Sequence, residues 1–316
     1  MFWNLFRIAL GFGLLTKGAG WFVDGSVAIA RRLRIPPYVI GATLVALGTS
    51  LPELVTSVYA GLAGRPEIAL ANVVGSNLVN VGIVVGMAAL LCPMLLDRDV
   101  FVEDAPHLLV SAFLLAVMAA DGRIERAEGV LLLFLGLVYA VSLVRQREGP
   151  EDASGGVSDE GPASLSPIGI AWRLAAGMAG FTLGAKALVD GASELARAAS
   201  IPEWLIGLTV VAVGTSLPEL ATSVAAAYRG SSSIAVGNVF GSNILNIYVV
   251  LGLTASLAPV TVAPATLGFD VPALVAMTFT ILFVVNGRKV TREHGLVLIA
   301  AYLAILLASL RVHPTG

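Results

Sequence analysis

Residues 41–80 of the chain occur a second time at 207–246, in register at a constant offset of 166. The two stretches read GATLVALGTSLPELVTSVYAGLAGRPEIALANVVGSNLVN and GLTVVAVGTSLPELATSVAAAYRGSSSIAVGNVFGSNILN, and 24 of their 40 positions are identical. Most of the differences are apolar swaps. A duplication of this length obliges both copies to build the same local structure, so each feature of the fold has to be placed twice.

The repeated stretch is apolar enough to sit in a membrane, and the whole chain agrees with it. Of 316 residues, 57% are hydrophobic and 13% charged, with mean hydropathy +0.89. A soluble protein has about 25% charged residues, so this chain lacks a water-facing surface and its exterior is expected to face lipid. The net charge of −2 suggests no nucleic-acid partner. Cys92 is the only cysteine, which excludes an intrachain disulfide.

A spanning helix needs about 20 mostly apolar residues. On that rule ten segments emerge, roughly 4–30, 37–63, 67–93, 101–120, 127–146, 167–197, 203–229, 232–258, 268–286 and 293–311. Pro36 and Pro37 stop the first and restart the second. Residues 147–166, rich in Gly, Ser, Pro and acids, read as a flexible linker and lack the ligand spacing of a calcium loop. The expected organisation is a first repeat at 1–146, the linker at 147–166 and a second repeat at 167–316. Five crossings are an odd number, so the second copy must be upside down relative to the first. The expected fold is therefore an all-α membrane protein of ten transmembrane helices, arranged as two inverted five-helix repeats with a substrate site where they meet.

Residues 1–30 end in Ala28-Ile29-Ala30, which looks like a signal-cleavage site. However, Thr16, Gly18, Ala19, Val23, Asp24 and Gly25 recur as Thr182, Gly184, Ala185, Val189, Asp190 and Gly191, so the segment is expected to belong to the fold. Lys and Arg favour one orientation, with eleven on one set of loops and six on the other. Positive charge marks the inside, which puts both termini outside and the linker in the cytoplasm.

Gly48-Thr49-Ser50-Leu51-Pro52-Glu53 lies near the middle of its segment. A carboxylate there is costly and marks a functional site by default. Pro52 has no N–H, so carbonyls around Ala46–Gly48 are expected to lack donors, which membrane depth tolerates only beside a cavity. Thr49 and Glu53 are four apart and would share a helix face, with Ser50 beside them. Asn72, Ser76 and Asn80 form a polar stripe at spacing four, and Gly75 would let a neighbouring helix approach. The second copy supplies Ala212, Thr215, Ser216 and Glu219, then Asn238, Ser242, Asn243 and Asn246. Carboxylates, hydroxyls and amide or backbone carbonyls are hard donors, suited to calcium and sodium rather than zinc or copper. Two negative charges match one calcium or two sodium ions. For Asn72, Asn77, Asn238 and Asn243, interhelical hydrogen bonding explains their presence as well as ligation does.

Other polar residues point elsewhere. Asp24 and Asp190 read as helix-end hydrogen-bonding groups, and Lys17 and Lys186 as snorkelling side chains. Asp97, Asp99, Glu103 and Asp104 read as a solvated acidic loop. No nucleotide-binding loop or nucleophile–base pair is present, so no enzymatic activity and no cofactor are expected.

GTSLPE followed by a GNVVGSN-type stretch, present twice, resembles the α-repeats of the cation/calcium exchangers, and within them the prokaryotic sodium/calcium exchangers. The resemblance implies a multi-pass plasma-membrane antiporter that exchanges sodium for calcium by alternating access. It implies Glu53 and Glu219 as central calcium ligands and Thr49 and Thr215 as flanking donors. It assigns Ser50, Ser216, Ser76 and Ser242, with the carbonyls of Ala46 and Ala212, to sodium sites, and Asn80 to an amide ligand. It implies that the first and sixth helices slide across a fixed bundle. Many relatives carry Asp where this chain has Asn246, which removes one negative charge. The implied partners are calcium, sodium and membrane lipid, with no protein partner. A proton-coupled calcium or cation exchanger is the alternative, and a channel or a non-transporting scaffold are more distant ones.

Overall fold

In the computed structural model, the described residues are 2–95, 98–145, 165–199, 212–287 and 289–312. The linker expected at 147–166, apart from its last two residues, lies outside them, as does the start of the segment expected at 203–229.

The chain runs as α1 (Phe2–Leu33), α2 (Pro37–Thr49), α3 (Leu51–Leu62), α4 (Pro66–Leu91), β1 (Met94–Leu95), α5 (Arg98–Met118), β2 (Arg123–Ile124) and α6 (Arg126–Arg145). The second set is α7 (Pro167–Ala198), α8 (Ala212–Thr215), α9 (Leu217–Tyr228), α10 (Ser232–Leu257), β3 (Val260–Thr261), α11 (Thr266–Asn286), β4 (Lys289–Val290) and α12 (Arg292–Val312). Ser166 opens the second set as a helix cap, its Oγ accepting from the Gly169 N–H at 3.1 Å with Pro167 in the first turn.

Six of these helices (α4, α6, α7, α10, α11 and α12) are long and apolar enough to cross a membrane. α2 and α3 form a pair bent by 47° that would make a seventh. α10 is the centre of the bundle, with 94% of its most apolar stretch buried, against 17% for α12 on the periphery. Phe113, Phe134, Leu137, Phe279, Phe283 and Leu307 stand exposed. An exterior this apolar suits lipid rather than water.

The two halves interlock through short antiparallel strand pairs. Met94 faces Val290 and Leu95 faces Lys289, while Arg123 faces Thr261 and Ile124 faces Val260. Adding 166 to Met94 and subtracting it from Val290 gives Val260 and Ile124, so one pair is the image of the other. A two-fold relation between the halves has this consequence, because a contact from i to j must recur from j to i.

α1 and α7 pack along their lengths at backbone distance. A Cβ on Gly11 would fall 2.7 Å from the Gly184 carbonyl, and one on Gly184 would fall 2.5 Å from the Leu15 nitrogen. Ion pairs tie both ends of this helix pair. Arg7 meets Asp190 at 3.0 Å and Glu194 at 2.7 Å, and Arg173, its counterpart, meets Asp24 at 2.8 Å. Arg229 at the end of α9 also reaches Asp24, at 2.7 Å. Asp24 and Asp190 are thus ion-pair partners rather than helix-end caps, because the antiparallel crossing brings the other half's arginines to them. Lys186 pairs with Asp190 at 3.2 Å instead of only snorkelling. Asp104, expected on a solvated loop, is fully buried because α5 continues through it.

With Cys92 replaced by Ser, Arg123→Cys with Thr261→Cys is expected to form a disulfide on mild oxidation, because antiparallel partners lie about 4.5–5.5 Å apart at Cα, within disulfide reach. Peptide mapping without reductant reads the bridge; its absence, with a control pair such as Arg123→Cys and Lys289→Cys equally uncrosslinked, would contradict the pairing.

Candidate ion-binding site

The carboxylate helices begin at a break. Ser50, between α2 and α3, has φ −83° and ψ 7°, and Ser216, between α8 and α9, has φ −89° and ψ 7°. Pro52 and Pro218 sit in the first turn beyond each break, where a missing N–H costs nothing. Glu53 and Glu219 therefore lie in the first turns of α3 and α9, where the helix dipole favours negative charge. The bend falls between Thr49 and Glu53, so these two do not share one continuous helix face as their spacing suggested. The Ala46 carbonyl is also not free, since it accepts from the Ser50 N–H at 3.0 Å and lies 3.3 Å from Thr49 Oγ1.

The halves meet at these breaks. α2 packs onto α10 through glycine: a Cβ on Gly41 would lie 2.6 Å from the Ile234 carbonyl, and one on Gly241 2.5 Å from that of Ala42. Gly75, the counterpart of Gly241, has no such neighbour among the described residues. The stretch symmetric to Ala42, around 208, lies outside them.

Backbone contact at α2 and α10 brings Ser50 Oγ to donate to Glu219 Oε1 at 3.1 Å, across the halves. Thr49 Oγ1 similarly reaches Asn238 Oδ1 at 3.1 Å. Both carboxylates have zero solvent exposure. Among the described residues no Lys or Arg pairs with either.

Seven oxygens of the expected ligand residues are buried without a hydrogen-bond partner among the described residues. They are Glu53 Oε1 and Oε2, Glu219 Oε2, Ser216 Oγ, Ser242 Oγ, Asn80 Oδ1 and Asn246 Oδ1. Buried polar atoms in folded proteins are nearly always paired, and leaving one unpaired costs about 1–3 kcal/mol. With Asn80 Nδ2 and Asn243 Oδ1, nine such buried side-chain atoms lie on the duplicated stretch. Among the described residues no three His, Cys, Asp or Glu side chains cluster. The donor set is thus two carboxylates with neutral oxygens, which fits a hard cation.

Asn80 and Asn246 each begin a π-helical turn, at Asn80–Val85 and Asn246–Leu251. Such wide turns recur at functional sites, and nothing in the hydropathy pattern announces them. Ser76 donates to the carbonyl of Asn72 at 2.7 Å. Thr215 closes α8, and Ala212 is the first residue described there.

Further residues hold the candidate ligands in place. Asn72 Nδ2 donates to Ser57 Oγ at 2.9 Å and to the Glu53 carbonyl at 3.3 Å. Asn238 Nδ2 donates to Ser223 Oγ at 2.9 Å, to Thr222 Oγ1 at 3.2 Å and to the Glu219 carbonyl at 3.4 Å. The hydrogen-bonding reading of these two asparagines is the one observed. Ser57, Thr222 and Ser223 did not stand out in the sequence, although their place in the duplicated LPEL-x-TSV run was a usable signal.

A membrane protein of two similar halves that bury a carboxylate-centred oxygen site between them has the build of a secondary transporter. The chain belongs to the family described as sodium/calcium exchanger protein, which it matches over residues 3–145 and 169–311. It is 36% identical to the sodium/calcium exchanger MaX1 of Methanosarcina acetivorans, over 96% of this chain and 97% of that one. It is 34% identical to the inner membrane protein YrbG of Escherichia coli, over 95% and 94%. A solved structure of the sodium–calcium exchanger NCX_Mj superposes with TM-score 0.84 at 33% identity, covering 97% of this chain and 99% of that one.

Calcium is expected to raise the melting temperature of the detergent-solubilised protein, since a ligand at about 100 times its Kd stabilises by about 2.7 kcal/mol. Glu53→Gln with Glu219→Gln should abolish that rise while leaving a folded, monodisperse protein. An undiminished calcium shift in the double variant would place the cation elsewhere.

Proposed function

We propose that the chain is a secondary antiporter that exchanges sodium for calcium across a plasma (inner) membrane by alternating access. The observation that carries this reading is the pair Glu53 and Glu219, buried without a basic partner among the described residues and accompanied on both halves by other buried, unpaired oxygens. Two carboxylates held in low dielectric need cations to offset their desolvation, so the site is best occupied by ions whichever way it faces. One calcium or two sodium ions neutralise the same two charges, which makes the ions alternative cargoes.

In this reading calcium is bound by Glu53 and Glu219 with Thr49 and Thr215. Sodium uses the same carboxylates with Ser50, Ser216, Ser76 and Ser242 and the carbonyls of Ala46 and Ala212. Asn80 and Asn246 add amide oxygens. The relatives named as sodium/calcium exchangers support this cargo. α1 and α7, joined by their glycine seam and end-to-end ion pairs, move as one body past the site.

The reading includes ten crossings in two inverted repeats, 1–146 and 167–316, joined by a linker at 147–166. Support comes from which ends meet. The ion pairs put the end of α1, the start of α7 and the end of α9 on one face, and the start of α1 with the end of α7 on the other. The strand pairs group β1 with β4 and β2 with β3. A chain that crosses ten times and inverts between halves satisfies all of these at once. The distribution of Lys and Arg supports both termini outside and the linker in the cytoplasm.

Sodium-loaded proteoliposomes diluted into sodium-free buffer are expected to accumulate calcium, with uptake abolished when sodium is equal on both sides. Uptake driven by a proton gradient alone, indifferent to sodium, would instead assign the proton-coupled mechanism. For orientation, in a cysteine-free background Arg65→Cys should react with impermeant maleimide on intact cells and Arg32→Cys only after lysis; the reverse pattern would invert the assignment.

A further inference from the structure

We propose that Asn77, outside the expected ligand set, determines that Asn246 offers its carbonyl oxygen rather than its N–H groups to the transported cation. This rests on the ion-site reading above. It assigns Asn77 as a positioning residue, not as a ligand.

The argument starts from a group that has no choice. The backbone carbonyl of Asn243 can only accept a hydrogen bond. Asn77, 1% exposed, lies 3.1 Å from it, so the branch of the Asn77 amide facing that carbonyl must be Nδ2. Its Oδ1 then faces the other way, toward Asn246, at 2.9 Å. An oxygen there can be met only by a donor, so Asn246 must turn Nδ2 toward Asn77.

A second neighbour makes the same demand. Ser76 Oγ has one proton and directs it to the carbonyls of Asn72 at 2.7 Å or Val73 at 3.2 Å. Its lone pairs are what remain for Asn246 Nδ2, 3.2 Å away. Turning the Asn246 amide over would set its oxygen against two acceptors. The oxygen is therefore driven to the opposite side, where it has zero exposure and no partner among the described residues.

The arrangement is one-sided. In the two-fold-related arrangement, Asn243 Oδ1 and both polar atoms of the Asn80 side chain have no partner among the described residues. Both halves carry the same Gly-Ser-Asn-x-x-Asn spacing, so the difference arises from packing. An amide needs such a device because its two ends are nearly equal in size and opposite in polarity. A carboxylate at 246 would not need it, since either of its oxygens can face a cation.

The test is a double-mutant cycle on cation binding, read as the sodium and calcium concentrations giving half of the thermal shift of the full-length protein. Asn77→Ala is expected to raise the half-saturating concentration of sodium, of calcium or of both by about tenfold. In an Asn246→Asp background, where a carboxylate oxygen already faces the Asn77 acceptor, the same substitution should not raise them. Equal changes in both backgrounds, or no change in either, would overturn the assignment, because a merely structural asparagine is blind to the residue at 246. Asn77→Leu, which keeps the space filled, repeats the cycle if the alanine variant is not monodisperse. In the wild-type protein labelled with 13C at asparagine side-chain carbonyls, infrared difference spectra should show a C=O band that shifts on cation addition and is lost in Asn246→Asp. A band that does not respond would equally count against the proposal. The binding readout needs no transport, so a failure of sodium-driven calcium uptake in the wild type would reject the antiport reading and leave this cycle interpretable.

Discussion

Burying two carboxylates at the centre of a lipid-facing bundle, with no arginine or lysine among the described residues to pair with them, is the constraint on which the rest of the molecule depends. Such charges survive only if they are surrounded by oriented dipoles and compensated by a cation. Each half supplies those dipoles by breaking its helix at Ser50 or Ser216, so that Glu53 and Glu219 sit at the positive start of α3 and α9. The break exposes the site, and the prolines after it tell each helix where to restart without adding an unsatisfied donor.

The two halves depend on each other because neither carboxylate has a complete shell from its own repeat. Ser50 serves Glu219, Thr49 reaches Asn238, and Asn77 reaches both the backbone and the side chains of α10. These contacts need α2 to lie against α10 at backbone distance, which the glycines at 41 and 241 permit. The small residues of the duplicated stretch are thus as important to the site as its oxygens, since a methyl group at either position would push the halves apart.

Much of this was legible in the chain. The 166-residue offset, the helical all-apolar character and the paired carboxylates follow from composition and repetition, because lipid admits few alternatives to a helix and tolerates few charges. The π turns at Asn80 and Asn246 and the pairing of Asp24 with Arg173 and Arg229 were not legible. Hydropathy averages over a turn and cannot see one extra residue in it, and an ion pair between positions 149 or 205 residues apart leaves no local trace. The shared face of Thr49 and Glu53 failed for the same reason: spacing assumes a continuous helix, and the break lies between them.

By itself, the sequence determined that this is a membrane chain of two like halves, each bringing one intramembrane carboxylate among hydroxyls and amides, because those properties reside in residue type and local spacing. Only the tertiary structure decided which of those groups meet. Two identical Gly-Ser-Asn-x-x-Asn runs hold their last amide differently, Asn246 with its nitrogen engaged by Ser76 and Asn77 and Asn80 with no partner among the described residues. That difference comes from how α4 and α10 pack. A side-chain amide takes its direction from the donors and acceptors around it, and those belong to the other half of the chain.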